Sequence, residues 1–135
     1  MNIRRAMAST LMQVVITLVV TTILVTIYIA VLSVQNQGAL PDAWLVGERA
    51  GRPIGMAVGV IAAFLAGWWG ARGIADRTIG LGVLIGAMVG TLSLVMDAIT
   101  GNLGVLTAVI VTLEIAAAVA GAMLAKSRAS PAAAT

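Results

Sequence analysis

Glu114 is the residue whose placement most demands a chemical explanation. It interrupts a run from Gly104 to Ala125 that is otherwise free of charge. Ionisable groups inside such runs are rare and mark functional sites, because insertion at the centre of a membrane helix costs roughly 2.5–3.5 kcal/mol. About ten residues separate Glu114 from the outer end of its run, or about 15 Å at the rise of an α-helix, close to a bilayer midplane. At helical spacing its neighbours are Thr107, Ile110, Ala117, Ala118 and Gly121. That face is small and mildly polar, which suits an inward orientation. No Lys, Arg or His stands at the same depth in any other run. Two uses follow. A neutral carboxyl can donate a hydrogen bond between helices, with Thr17 and Thr21, on one face of the first run with Gln13, as acceptors. Alternatively the carboxyl ionises when a cation or water arrives, which is the chemistry of a proton or cation site.

Asp97 lies two residues from the outer end of the third run, on one face with Gly86, Gly90 and Ser93. It either reaches the interface and closes the Thr100-Gly101-Asn102 turn, or forms the outer mouth of a path to Glu114. In the second case Ser93 and Thr107 are its polar stepping stones. Arg49 and Arg52, beside Glu48, are read as exposed charges pairing with Glu48 and Asp42, an arrangement worth little energetically.

Much other chemistry is excluded. The chain has no Cys and no His, which removes the commonest metal ligands, thiol nucleophiles and the usual general base. There is no phosphate-binding loop, zinc motif, activated serine or redox pair, so neither an enzyme nor a cofactor nor a metal site is expected. A net charge of +3 without a basic patch gives no footprint for nucleic acid.

The elements that must position these residues follow from the gaps between charges. The 135 residues are 61% hydrophobic and 10% charged, against about 25% charged in a soluble domain. Residues 6–41 carry no charge, and their centre from Leu11 to Leu32 is rich in Val, Ile, Leu and Thr. Further runs cover Pro53–Ala71, Thr78–Met96 and Gly104–Ala125. A spanning helix needs roughly 20 apolar residues, and within lipid only a helix satisfies its own backbone. Strands of alternating polarity are absent, and the first run lacks the short apolar core and cleavage site of a signal peptide. The sequence therefore predicts an all-α integral membrane protein in one domain, 1–126. Its four transmembrane helices lie at about 9–34, 53–72, 78–99 and 104–126. An outer loop covers 35–52 and a flexible cytoplasmic tail 127–135.

Arg4, Arg5, Arg72, Arg77, Lys126 and Arg128 fall on one side of this antiparallel bundle, and only Arg49 and Arg52 on the other. The positive-inside rule then puts both termini in the cytoplasm, in a cytoplasmic or inner (plasma) membrane. Trp68 and Trp69 become anchors at the cytoplasmic interface. Residues 40–45 either start a short interfacial helix anchored by Trp44 or form an ordinary solvated loop.

Small residues recur every fourth position at Gly51, Gly55, Gly59, Ala63 and Gly67, and again at Gly82, Gly86 and Gly90. Such faces let backbones approach closely where no hydrophobic effect draws helices together. They predict glycine-ladder packing on helices 2 and 3, with those two helices as the packed centre, Gly121 adding a small site on helix 4, and helix 1 facing lipid. A pore-lining role for the glycine faces is the sharper alternative.

In size, pass number and single deep Glu the chain resembles the small multidrug transporters, whose essential Glu lies in the first helix, where this chain has no acid. Its carboxyl in the last helix is similar to that of four-helix rotor proteolipids, whose glycine repeats belong to helices 1 and 3 instead. Neither resemblance carries over a residue role. The expected function is an oligomeric transporter or channel passing a proton, a cation or a small solute, with Glu114 as the intramembrane site. The alternatives are an accessory subunit of a larger membrane complex and a protein that binds lipid or a hydrophobic ligand beneath Trp44. The partners expected are membrane lipid, further copies of the chain and, in the accessory reading, another membrane protein.

Overall fold

A computed structural model describes residues 3–74 and 77–129, without the side chains of Trp44 and Ala129. The first helix, α1, runs Ile3–Gln35, several residues earlier than the sequence pattern suggests. Arg4 to Ala8 are good helix formers and continue the helix beyond the apolar core, giving α1 a length of about 50 Å. It ends where Gln37 and Gly38 adopt positive φ and the Gly38 N–H closes on the Ser33 carbonyl at 2.8 Å.

The expected outer loop at 35–52 shrinks to residues 36–42. The next helix starts at Ala43 (α2, Ala43–Val46), widens through one π-turn at Gly47–Gly51, and continues as α3, Arg52–Ala71. Backbone angles at Val46 and Gly51 stay in the right-handed helical region. Pro53 explains the turn. Proline has no N–H and its ring collides with the carbonyl four residues earlier, and a π-turn widens the backbone at that point. The Arg52 N–H accordingly reaches back five residues, to the Gly47 carbonyl. Arg49 and Arg52 thus sit on a helix rather than in a loop.

Helix α4 spans Thr78–Ile99 and α5 spans Val105–Ala129. Gly101, at φ +72°, joins them by donating to Ala98, while the Asn102 N–H donates to the Asp97 carbonyl at 2.8 Å. This is a Schellman closure. Helix α5 continues through residues 127–129, so the start of the expected tail is helical. Residues 130–135 lie outside the described ones. Four helical segments are long and apolar enough to cross a membrane: α1, Gly47–Ala71, α4 and Val105–Arg128. No strand occurs among the described residues.

The packing corrects one expectation. Helices α3 and α4 touch each other sparingly, and α5 packs along both, so α5 is the centre. The glycine faces turn accordingly. A Cβ at Gly67 would run into the Ala118 carbonyl, and one at Gly121 into the Phe64 carbonyl. Those at Gly82, Gly86 and Gly90 would meet Ala122, Ile115 and Val111. Gly59 and Gly67 on α3 and Gly82, Gly86 and Gly90 on α4 therefore address α5, not each other. Gly55 faces Thr21 on α1, and Gly51 approaches only the Val46 carbonyl of its own helical segment. Helix α1 lies against α3 and, less extensively, α4, burying only Ala6, Ser9, Thr10 and Gln13. The interior is built from Ala63, Ala66, Ala118, Leu81, Ile85 and Val89. It also encloses Ser9, Thr10, Gln13, Thr78, Thr107 and Glu114, while Leu18, Ile27, Ile61 and many other large apolar side chains face outwards. Polar groups inside and apolar groups outside is the arrangement that suits lipid.

Candidate intramembrane carboxyl site

Glu114 stands nine residues into α5, about 14 Å along the helix, and is 3% exposed. Its carboxyl enters between α3 and α4. The Ser93 hydroxyl donates to Oε2 at 2.8 Å. Oε1 lies over Gly59, where an added Cβ would come to 3.1 Å. One neighbouring helix thus supplies a donor, and the other supplies space.

One turn from Ser93 on α4, Asp97 accepts a hydrogen bond at Oδ2 from Thr107 in the first turn of α5. The same hydroxyl lies 3.2 Å from the Asn102 carbonyl, which also accepts from Arg52 Nη2 at 3.4 Å. Asp97 therefore ties the end of α4 to the start of α5. It also stands on the helix face that leads down to Ser93. Four of the candidate residues thus form two bonded pairs on the α4–α5 seam, Ser93 with Glu114 and Asp97 with Thr107. Thr17, the fifth, accepts from Gln13 Nε2 on its own helix at 3.2 Å and makes no hydrogen bond with Glu114.

Ser9, which the sequence pattern does not single out, and Thr21, an expected acceptor for Glu114, are both left unpaired. Ser9 is completely buried, and its Oγ has no hydrogen-bond partner. It lies where Gly70 of α3 leaves room, since a Cβ there would come to 2.5 Å from that oxygen. Thr21 Oγ1 is likewise buried and without a partner. Ser9 falls on the four-residue spacing of Arg5, Gln13, Thr17 and Thr21, which other polar residues of α1 such as Thr10, Thr22 and Thr26 do not follow.

At the end of the bundle that carries the N-terminus, Arg5 Nη1 donates to the Arg72 carbonyl at 3.0 Å. The Arg72 guanidinium stacks on the Trp68 ring, 4.7 Å from its centre, and Trp68 packs on Ala71, Ala122 and Ala125. Trp69 is more exposed. The anchor reading of Trp44 concerns a side chain outside the described ones. Among the described residues, no group of three or more acidic, His or Cys side chains could hold a metal ion.

These features define the class of protein: a four-helix bundle with spans apolar enough for a membrane, enclosing one hydrogen-bonded carboxyl at mid-depth. No protein family, curated protein or solved structure matches the chain.

Proposed function

We propose that the protein is a small membrane transporter or channel that passes a proton, a cation or a small solute coupled to one, with Glu114 as its intramembrane site. The observation that carries this reading is the Glu114 carboxyl itself, buried at mid-span and hydrogen-bonded to Ser93 on the neighbouring helix. A carboxyl at that depth is costly to retain, and packing alone would be served by an apolar residue of similar volume. Asp97 and Thr107, at one end of the same seam, act as the outer station. Arg4, Arg5, Arg72, Arg77, Lys126 and Arg128 at the opposite end assign both termini to the cytoplasm, in a cytoplasmic-type membrane. A bundle whose core is filled by Ala, Leu, Ile and Val has no room for a solute within one copy. Solute passage therefore requires an oligomer with its route at the subunit interface, whereas a proton requires only a line of hydrogen-bonding groups.

The test is flux into liposomes containing the purified protein. Wild-type protein passes protons or cations down an imposed gradient, and Glu114→Gln abolishes the flux while keeping the fold. Flux unchanged by Glu114→Gln would falsify the role given to this residue. Absent flux combined with stable co-purification of another membrane protein would replace transport by an accessory role.

A further inference from the structure

We infer that the permeant species is the proton, and that the N-terminal half of α1 provides the inner half of its route through Thr17, Gln13 and Ser9. This rests on the reading of Glu114 as an intramembrane site and extends it from a site to a complete crossing.

The helix registers carry the argument. Helices α1 and α3 are antiparallel, and Thr21 faces Gly55. Four residues before Thr21 is Thr17, and four residues after Gly55 is Gly59, the residue beneath Glu114 Oε1. Helices α1 and α4 are parallel, and the Thr10 hydroxyl meets Met88 Sδ at 3.9 Å. Five residues beyond Met88 is Ser93, and five beyond Thr10 is position 15, at a height along α1 between Gln13 and Thr17. Both registers thus bring the bonded Gln13–Thr17 pair to the level of Glu114. From there the polar face descends one turn to Gln13, another to Ser9 and a third to Arg5 at the basic end of the bundle. Gln13 is 5% exposed and Ser9 fully buried.

The hydroxyl hydrogens separate this face from ordinary membrane threonines. Thr22, Thr26, Thr91 and Thr112, all exposed, donate back to the carbonyl four residues earlier on their own helices. That is the usual way to satisfy a hydroxyl in lipid. Thr17 does not do this; its oxygen accepts from Gln13 and its hydrogen remains available. Ser9 Oγ and Thr21 Oγ1 have no partner at all. Buried hydroxyls left in this condition are a cost that a route for protons explains. Hydroxyl groups and the waters they hold can accept a proton on one side and release another on the other. The Gln13 amide orients Thr17. The line is one side chain wide and holds one carboxyl at mid-depth, too few oxygens to replace the shell of a dehydrated metal cation, which takes about six ligands. In each cycle Glu114 takes up one proton from the Asp97 side and releases one towards Thr17, leaving the carboxyl unchanged.

The experiment combines flux with access. Flux is read with a pH dye in liposomes free of sodium, using potassium and valinomycin to clamp the voltage. Thr17→Val and Gln13→Leu should each slow proton flux at least about tenfold, the effect of one lost hydrogen bond on the scale of 1.4 kcal/mol per decade. Thr22→Val, on the outward face, should leave it unchanged. Because the chain has no cysteine, Ser9→Cys and Asp97→Cys give single thiols. A small charged thiol reagent should modify Asp97→Cys only from the side opposite the termini and should not reach Ser9→Cys, which is fully buried on a line too narrow for it. Flux lost in Glu114→Gln but retained in Thr17→Val and Gln13→Leu would overturn the α1 route and leave the Glu114 reading standing. Sodium-dependent flux would overturn the proton assignment. If the wild-type protein shows no flux, the Glu114 reading falls; a Ser9→Cys thiol that the charged reagent does reach would show a wide solvated opening and overturn the narrow proton line on separate grounds.

Discussion

The same substitution at two rungs of the α3 glycine face should have opposite consequences. At Gly67 an alanine Cβ would lie 2.8 Å from Ala118 Cα and closer still to the carbonyl of that residue. Restoring an ordinary contact of 3.4 Å to Cα alone needs at least 0.6 Å of separation (3.4 minus 2.8). The obstacle is backbone, so no side chain can turn aside. Gly121 makes the reciprocal approach to Phe64 and Trp68 at the same crossing, so parting the helices loosens both sides together. A gap of about 0.5–1 Å forfeits a quarter to a half of each dispersion contact, and overpacking of this kind costs about 1–3 kcal/mol. Gly67→Ala belongs at the upper end of that range, because α3–α5 packing is among the most extensive in the bundle. At Gly55 the added Cβ would meet Thr21 Cγ2 at 3.8 Å, an ordinary contact, and alanine is the better helix former by about 1 kcal/mol. Gly55→Ala should therefore be neutral to slightly stabilising. Titration with a denaturing detergent, followed by far-ultraviolet circular dichroism, ranks the two variants against wild type. A Gly67→Ala protein within about 0.5 kcal/mol of wild type, or a Gly55→Ala protein that loses as much as Gly67→Ala, would refute the argument that α5 lies in the groove made by these glycines.

Gly59→Ala should separate function from stability. Its Cβ would press on Glu114 Oε1 at 3.1 Å, so proteoliposome flux should fall more than the detergent midpoint does, and a variant with full flux would show that the space over Gly59 is not used. Gly101→Ala places a side chain at φ +72° and should cost about 1 kcal/mol in the same detergent titration. Gly80→Ala, inside α4 with nothing within 4 Å, is the control expected to be neutral to slightly stabilising.

The spans were legible because charge is the most heavily penalised property in lipid, and four gaps between charges leave little choice of architecture. Around residues 43–52 the loop reading gives way to helix for a local reason, with Ala43–Val46 starting inside the stretch also read as a short helix. Gly47, Gly51 and Pro53 are breaker residues in a soluble context, yet a single π-turn absorbs the proline and the helix passes through. Helix partners were harder still. A period of four places Gly55, Gly59 and Gly67 on one side of their own helix but carries no information about which neighbour fills that side. The two ladders suggested a mutual contact of α3 and α4, whereas Gly59 and Gly67 of the first and all three glycines of the second turn towards α5, whose Ala118, Ala122 and Gly121 present an equally small surface. A groove accepts either partner, and the connection lengths do not decide between them.

The polar site divides in the same way. Glu114 was conspicuous because nothing else charged shares its depth, and Ser93, Asp97 and Thr107 followed from helical spacing on adjacent antiparallel helices. Ser9 and Gln13 share a four-residue spacing with Thr17 and Thr21, but that spacing alone says little, because Ser, Thr and Gln at one position in four are tolerated on any membrane helix that can bond them to its own backbone. Only the structure separates Thr22 and Thr26, which do so on the outward face, from Ser9 and Thr21, which do not. Unspent hydrogen-bonding capacity, rather than polarity, therefore distinguishes the inner face of α1. Gly59 is where α3 leaves space for the carboxyl, since an added Cβ would meet only Glu114 Oε1 there. A larger residue would press on that oxygen and strain the carboxyl's contact with Ser93 on the far side.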